Sequence, residues 1–363
     1  MPRVALFITY TMASPVVGGA FFRSLRLACE LARRNWQPII ANCGPSLADP
    51  KVDAARKSVH FIPLDRESLG LTADSAAAQF RALRADIAIM GEYPFELMKI
   101  YYDAARRLDT PLVVLDQFYC NTHLPAALGA DLVLLYALAS FWNDELSLGP
   151  PYEIVPPFIE EVTPESDLPV PDRLREHPWI SLVAYDDYVT HKGIELLAQL
   201  ENTEPAIIGI TPSPETFGAL TRSAGIDAAR VVCLPLQSDA NVFGFFGSSA
   251  VTLVSNGFLQ IMDALAMASP VIALERGSGV GMSGLNIDAR FVPYVSFQEN
   301  QEQQLGRIRR WLHSNPLGDR LKARLAGERH GVLFAANRIE ETYRHWRAEL
   351  PWRRAARRWL NAR

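Results

Sequence analysis

The segment Val251–Gly277, VTLVSNGFLQIMDALAMASPVIALERG, holds the densest set of residues able to bind an anion and a polyol together. The short apolar run VTLVS reads as a buried parallel strand ending in Ser255, and Asn256-Gly257 is a turn signal. Leu259, Met262, Leu265 and Ala266 then recur at helical spacing until Ser269-Pro270 stops the helix and VIAL begins the next strand. A tight turn that opens a helix directly after a strand leaves free N–H groups at the positive end of the helix dipole, where phosphate binds. One turn further in, Asp263 offers a carboxylate to sugar hydroxyls. An ordinary strand–helix–strand unit of another nucleotide-type fold is the plainer reading of the same pattern.

Other reactive side chains fall where apolar runs end. Glu92 ends the strand DIAIMGE, and a carboxylate there can take a proton from a hydroxyl or can cap the helix that begins near Pro94. Asp116 and His123 follow PLVVLDQF; Asp116 can orient a partner, and His123, beside Asn121 and Thr122, reads more simply as a solvated loop residue. Gly18-Gly19 permits a close approach to the helix that follows the first strand. After WISLVAYD, the stretch from Tyr185 to Gly193 brings Lys192 and backbone N–H groups, which can neutralise phosphate charge or simply start a capped helix. The Gly-rich ERGSGVGMSGLN lacks both the G-x-G-x-x-G spacing and an acid at ribose distance, so it is a poor dinucleotide fingerprint. Asp186-Asp187 are adjacent rather than alternate, and no metal site is expected.

Positioning these residues takes a chain of 363 residues, too long for one ordinary core and suited to two domains. A net charge of -4 gives no support for general nucleic-acid binding. The N-terminal MPRVALFITYTM has an apolar stretch too short for a leader and is read as the first strand. Cys29, Cys43, Cys120 and Cys233 lack metal-ligand spacing and read as buried thiols of a reducing compartment, which places the chain in the cytoplasm or at its membrane face. Strand and helix alternate throughout, which predicts an α/β fold of parallel sheets with helices on both faces. Residues 1–150 read as one Rossmann-like domain, the Pro-rich 151–172 as a linker, 173–340 as a second Rossmann-like domain and 341–363 as a basic helix.

The order Ser255, Asn256-Gly257, Asp263-Ala264-Leu265, Ser269-Pro270-Val271-Ile272-Ala273 resembles the donor-nucleotide motif of GT-B glycosyltransferases, with Asp for the commoner Glu and Ser269 where Gly is usual. The resemblance covers nearly the whole chain and is strongest in its second half. It implies two Rossmann-like domains facing across a cleft, the first binding an acceptor and the second a nucleotide-diphospho-sugar, UDP-linked, as substrate rather than cofactor. It implies that Asp263 binds ribose, that Ser255, Asn256 and Gly257 hold diphosphate, and that the loop holding Leu236 clamps the base. Asn286 resembles the end of the family's loop after the fifth strand. Tyr185 lies in the loop where Lys192-Gly193 resembles a recurring feature, and Lys192 or Arg276 would stabilise the leaving diphosphate. Arg23-Ser24-Leu25-Arg26-Leu27-Ala28 resembles the family's first helix without the His that often precedes it, which leaves Glu92, in a phrase similar to T-E-x-F-P-F-G-R, as the base. Ser255 stands where retaining members commonly carry an acid, so the resemblance implies inversion and transfer to a hydroxyl acceptor in glycan biosynthesis. Two other readings stay open: a sugar-nucleotide 2-epimerase or hydrolase of the same fold, and an inactive sugar-nucleotide or glycan-binding scaffold.

The tail, PWRRAARRWLNAR, carries five arginines and two tryptophans without an acid. As a helix it puts Trp352, Ala355, Ala356, Trp359 and Leu360 on one face. It reads either as an interfacial membrane helix suited to a lipid-linked acceptor, or as a terminal helix docked on the first domain.

Overall fold

The structure is a computed structural model. It describes residues 2–11, 19–44, 50–64, 71–91, 99–116, 129–136, 151–158, 167–175, 179–183, 187–200, 206–235, 237, 239–255, 258–275, 294–296, 300–313 and 330–361. The first described elements are β1 (Arg3–Tyr10), α1 (Gly19–Arg33), β2 (Trp36–Cys43), α2 (Pro50–Ala55), β3 (His60–Leu64), α3 (Ala73–Ala82), β4 (Ile87–Met90), α4 (Lys99–Arg106), β5 (Leu112–Asp116), β6 (Leu132–Tyr136) and β7 (Tyr152–Val155). Next come α5 (Asp172–Arg175), β8 (Trp179–Val183), α6 (Asp187–Leu197), β9 (Ala206–Ile210), α7 (Pro214–Ser223), β10 (Val231–Leu234), α8 (Asp239–Ser248), β11 (Val251–Ser255), α9 (Phe258–Ala266), β12 (Val271–Glu275) and β13 (Tyr294–Ser296). The chain closes with α10 (Gln301–His313), α11 (Gly331–Ala348) and α12 (Pro351–Asn361).

Two compact units emerge, one of Met1–Ala137, Asp144–Phe158 and His330–Arg363, the other of Leu138–Asn143 and Ile159–Arg329. The first holds a seven-stranded sheet in the order β3-β2-β1-β4-β5-β6-β7, the second a six-stranded sheet in the order β10-β9-β8-β11-β12-β13. Every strand pair is parallel. Both sheets are doubly wound, and each reverses its strand order at one place, between β1 and β4 in the first and between β8 and β11 in the second. The apolar runs read from sequence are the central strands. Ala5 to Ile8, Ile87 to Met90, Ile180, Leu182, Val251 and Leu253 are all sealed from solvent, as strands covered on both faces must be.

Several boundaries differ from the sequence reading. The Pro-rich stretch expected to be a linker supplies β7, whose Leu134↔Glu153 and Tyr136↔Val155 register completes the first sheet as an edge, where proline neighbours are tolerated. Residues 331–340, expected in the second domain, begin α11, which belongs to the first unit. There Glu340 accepts from Trp36 Nε1 (3.0 Å), Tyr343 donates to Asp86 (3.1 Å) and Arg338 Nε donates to Glu153 (2.6 Å). A Cβ at Gly331 would sit 1.9 Å from the carbonyl oxygen of Pro156, so only glycine lets this helix start against the end of β7. α11 also covers part of α1. Arg34 reaches Asn337 (2.6 Å) on α11, and Arg23 is buried.

The tail docks on the first unit, with the sense of its amphipathicity inverted. Arg357 Nη1 and Arg358 Nη2 donate to Asp131 (2.5 and 2.8 Å), whose side chain is only 1% exposed. Arg358 also donates to the carbonyl of Thr110 (2.9 Å), Arg357 to Glu349 (2.7 Å), and the Arg354 guanidinium lies 3.8 Å over the Trp346 ring. Burial works against the charge on Arg357, but its hydrogen bonds to Glu349 and Asp131, with their negative charge, outweigh it and raise its pKa. The arginine face is turned inward, and the tryptophan face is turned to solvent.

Candidate functional site

Ligands of doubly wound sheets bind beyond the carboxyl ends of the strands, where the strand order reverses. In the second unit that place is set by β8 and β11, which pair directly with Leu253 opposite Leu182 and Val254 opposite Val183. α6 and α9 begin just past their ends, at Asp187 and Phe258. α9 thus points its N-terminus at the switch point, with the partial positive charge of a helix start behind it. Asp263 lies five residues into α9, about 7.5 Å along the axis. Helical side chains lean toward the N-terminus, so its carboxylate reaches back along the helix. It is 8% exposed, in a position where an unionised apolar residue would be ordinary.

The C-terminal end of α9 explains the unusual Ser269. Ser269 N donates to Ala264 O (3.0 Å) and Ala268 N to Leu265 O (2.8 Å), a Schellman closure with Ala268 at φ +58°. The Ser269 hydroxyl is buried and bonds Thr252 Oγ1 at 2.7 Å, tying the end of α9 to β11. Its role is to fix the angle at which α9 leaves the sheet.

Lys192 was expected in a loop before a helix starting at Gly193, but α6 starts at Asp187 and carries both residues in its second turn. Gly193 is a packing residue there, since a Cβ would meet Leu274 Cδ1 at 3.0 Å. That close fit to the sheet overrides the poor helix propensity of glycine. Lys192 Nζ donates to Glu195 (2.6 Å), and His191 pairs with the other oxygen (2.9 Å). The Lys192 hydrogen bond, against a smaller desolvation, holds the Glu195 carboxyl below its usual range. Ser255 ends β11 opposite Leu274, Asp116 ends β5 opposite Leu135, and Gly19 opens α1. Glu92, His123, Tyr185, Leu236, Asn256, Gly257, Arg276, Asn286 and Gly18 lie outside the described residues.

The first unit has its own switch point, and sequence reasoning missed what lies there. Arg23, in the second turn of α1, is 1% exposed, donates to the carbonyl of Gly91 (3.3 Å) and stacks 5.3 Å from the Tyr136 ring centroid. Its Nε and Nη1 have no partner among the described residues, and the same holds for the hydroxyls of Thr9 and Ser24. Gly91 follows β4 directly. A Cβ on it would sit 2.6 Å from Ser24 Oγ and 2.8 Å from Thr9 Oγ1, so the backbone is drawn close to this polar cluster. Only the R-S pair opening the helix phrase could have pointed to it, and an arginine on a helix ordinarily reads as solvated.

Two doubly wound parallel sheets of this order make up the GT-B fold. No protein-family model matches the sequence, and no curated protein matches it either. Solved structures share the fold across nearly the whole chain. A Staphylococcus aureus MnaA–UDP co-structure is 13% identical with a TM-score of 0.68, covering 96% of this chain and 99% of its own. A UDP-N-acetylglucosamine 2-epimerase is 14% identical with a TM-score of 0.60, covering 97% and 99%. A glycosyltransferase from Rickettsia africae is 14% identical with a TM-score of 0.59, covering 95% and 98%. No helix among the described residues is long and apolar enough to cross a membrane.

Proposed function

We propose that the chain is an inverting glycosyltransferase that uses a nucleotide-diphospho-sugar, UDP-linked, and transfers the sugar to a hydroxyl acceptor. The observation that carries this reading is the buried Asp263 in the second turn of a helix whose start faces the switch point of the second sheet. Diphosphate at that helix start would meet free N–H groups, and the charge that develops on the leaving group is stabilised by the same dipole. Asp263 would hold the ribose hydroxyls, with Lys192 or Arg276 adding charge to the leaving side. Glu92, the next residue in the sequence after Gly91, would serve as base on the acceptor. A glycan or lipid-linked acceptor, and a working place in the cytoplasm at the membrane face, belong to the same reading.

The test is calorimetric binding and thermal stabilisation with UDP, GDP, TDP, CDP and ADP, repeated on Asp263→Asn. One diphosphate at about a hundred times its Kd adds about 2.7 kcal/mol of stability. Loss of a charge-assisted hydrogen bond of roughly 1.5–3 kcal/mol weakens Asp263→Asn about ten- to hundredfold. Binding of no diphosphate, or equal binding by both proteins, removes the assignment. A second reading, 2-epimerisation, is favoured by the epimerase among the structures that share the fold. Conversion of a UDP-sugar without any acceptor would select it.

A further inference from the structure

We propose that the outward face of α12 rests in the headgroup region of a lipid bilayer and is held by its indoles and leucines rather than by its arginines. This deepens the membrane-side placement given above and does not depend on the donor chemistry.

The argument begins with the inversion. A terminal helix that merely completes a fold buries its apolar stripe and leaves its charges in water. In α12 the arginines at 354, 357 and 358 face the protein, while Trp352 is 64% exposed, Trp359 54% and Leu360 63%. Leu350, at the turn into the helix, is 53% exposed, and Ala355 and Ala356 lie on the same open face. Asp131 and Glu349 fix this orientation, so the exposed stripe belongs to a rigidly docked helix.

Three features select a bilayer as the occupant. With Trp352, Trp359, Leu350 and Leu360 each more than half exposed, the stripe offers on the order of 300–500 Å² of accessible surface. A stable protein partner needs about 800 Å² a side, so a second copy is poorly served. Tryptophan is the side chain that gains most at a membrane interface, where its ring is apolar and its N–H meets water or a headgroup. The cations left exposed near the corner, Arg344, Arg347 and Arg353, suit phosphate headgroups, and the sequence has no acid after Glu349. The committed arginines set a limit on that attraction. With Arg357 and Arg358 paired to Asp131, and Arg357 also to Glu349, these two arginines are turned away from lipid.

The test uses the full-length protein and vesicles of phosphatidylcholine with a minor fraction of phosphatidylglycerol, read by co-sedimentation and by tryptophan emission. The variant carries Trp352→Ser, Trp359→Ser and Leu360→Ser together. All three side chains are solvent-exposed, so its melting temperature should match the parent, and its response to nucleoside diphosphates should be unchanged. Vesicle affinity should fall about tenfold or more, and the blue shift of the parent's emission on lipid should vanish. Raising the ionic strength should weaken the parent by less than about threefold, because screened charge contributes little. Undiminished vesicle binding by the variant overturns the proposal. So does binding abolished by salt, which would assign the contact to arginines. A parent that ignores vesicles but dimerises through this face overturns it in favour of a second copy.

Discussion

Replacing Asp131 by asparagine should unfasten the C-terminal helix of the first unit. The carboxylate accepts from Arg357 (2.5 Å), Arg358 (2.8 Å) and the backbone N–H of Leu112 (2.9 Å). An amide keeps the shape and one acceptor oxygen, but it removes the charge and turns an NH2 group toward a guanidinium. Breaking a fully buried pair costs about 3–5 kcal/mol. Here Asp131 is buried but the two arginine side chains are 33% and 27% exposed, so water screens part of the interaction. The expected loss is therefore about 2–3 kcal/mol. For a unit of this size that lowers the melting temperature by roughly 5–10 °C. Scanning calorimetry of the full-length protein would read it as a shift in the transition of the first unit. The double variant with Arg358→Gln should recover about 1 kcal/mol of the summed losses, because the two residues share one interaction. A melt within about a degree of the parent, or strictly additive losses, would refute the latch.

Ala268→Gly should stabilise the second unit by about 0.5–1 kcal/mol in chemical denaturation, since Ala268 holds a left-handed φ of +58° that costs a non-glycine residue more than glycine loses in chain entropy; a destabilised variant would show the Schellman turn is misread. Gly331→Ala should cost about 1–3 kcal/mol or more, because its Cβ meets backbone at 1.9 Å and nothing flexible can yield, and a neutral result would contradict the contact with Pro156. Arg23→Met should leave the free protein as stable as the parent or up to about 2 kcal/mol more stable, since it removes a buried guanidinium that has one carbonyl partner. A loss above about 2 kcal/mol in thermal denaturation would show that the Tyr136 stacking and the Gly91 bond outweigh desolvation.

What could be read from sequence was local. The strand VTLVS and the helix from Phe258 were legible because a buried strand is a short apolar run and a helix face repeats every three to four residues. α8 was not, because Phe243, Phe245 and Phe246 are buried on all sides and leave no polar face to set a period. β7 was hidden by flanking prolines. Lys192 was placed in a loop because Gly193 looked like a helix start, whereas the glycine serves contact with Leu274. The helices after residue 330 join the first unit through Trp36, Asp86 and Asp131, partners separated from them by more than 200 positions, and no local pattern encodes such a pairing. Asp263 stood out for the opposite reason, since an acid on an apolar helix just past a turn is a local anomaly.

The return of the chain to its first unit also sets a timetable for synthesis. Residues Ile159 to Arg329 of the second unit are made between the first sheet and the helix that covers it. At about 5–20 residues per second, those roughly 170 residues keep Trp36, Asp86 and Glu153 waiting for their partners for about 10–30 s on the ribosome. The second sheet can therefore mature before the first is closed, although it is encoded later. Nascent chains stalled before residue 330 should expose the bare face of α1 and the open carboxylate of Asp131, the surface a chaperone would meet.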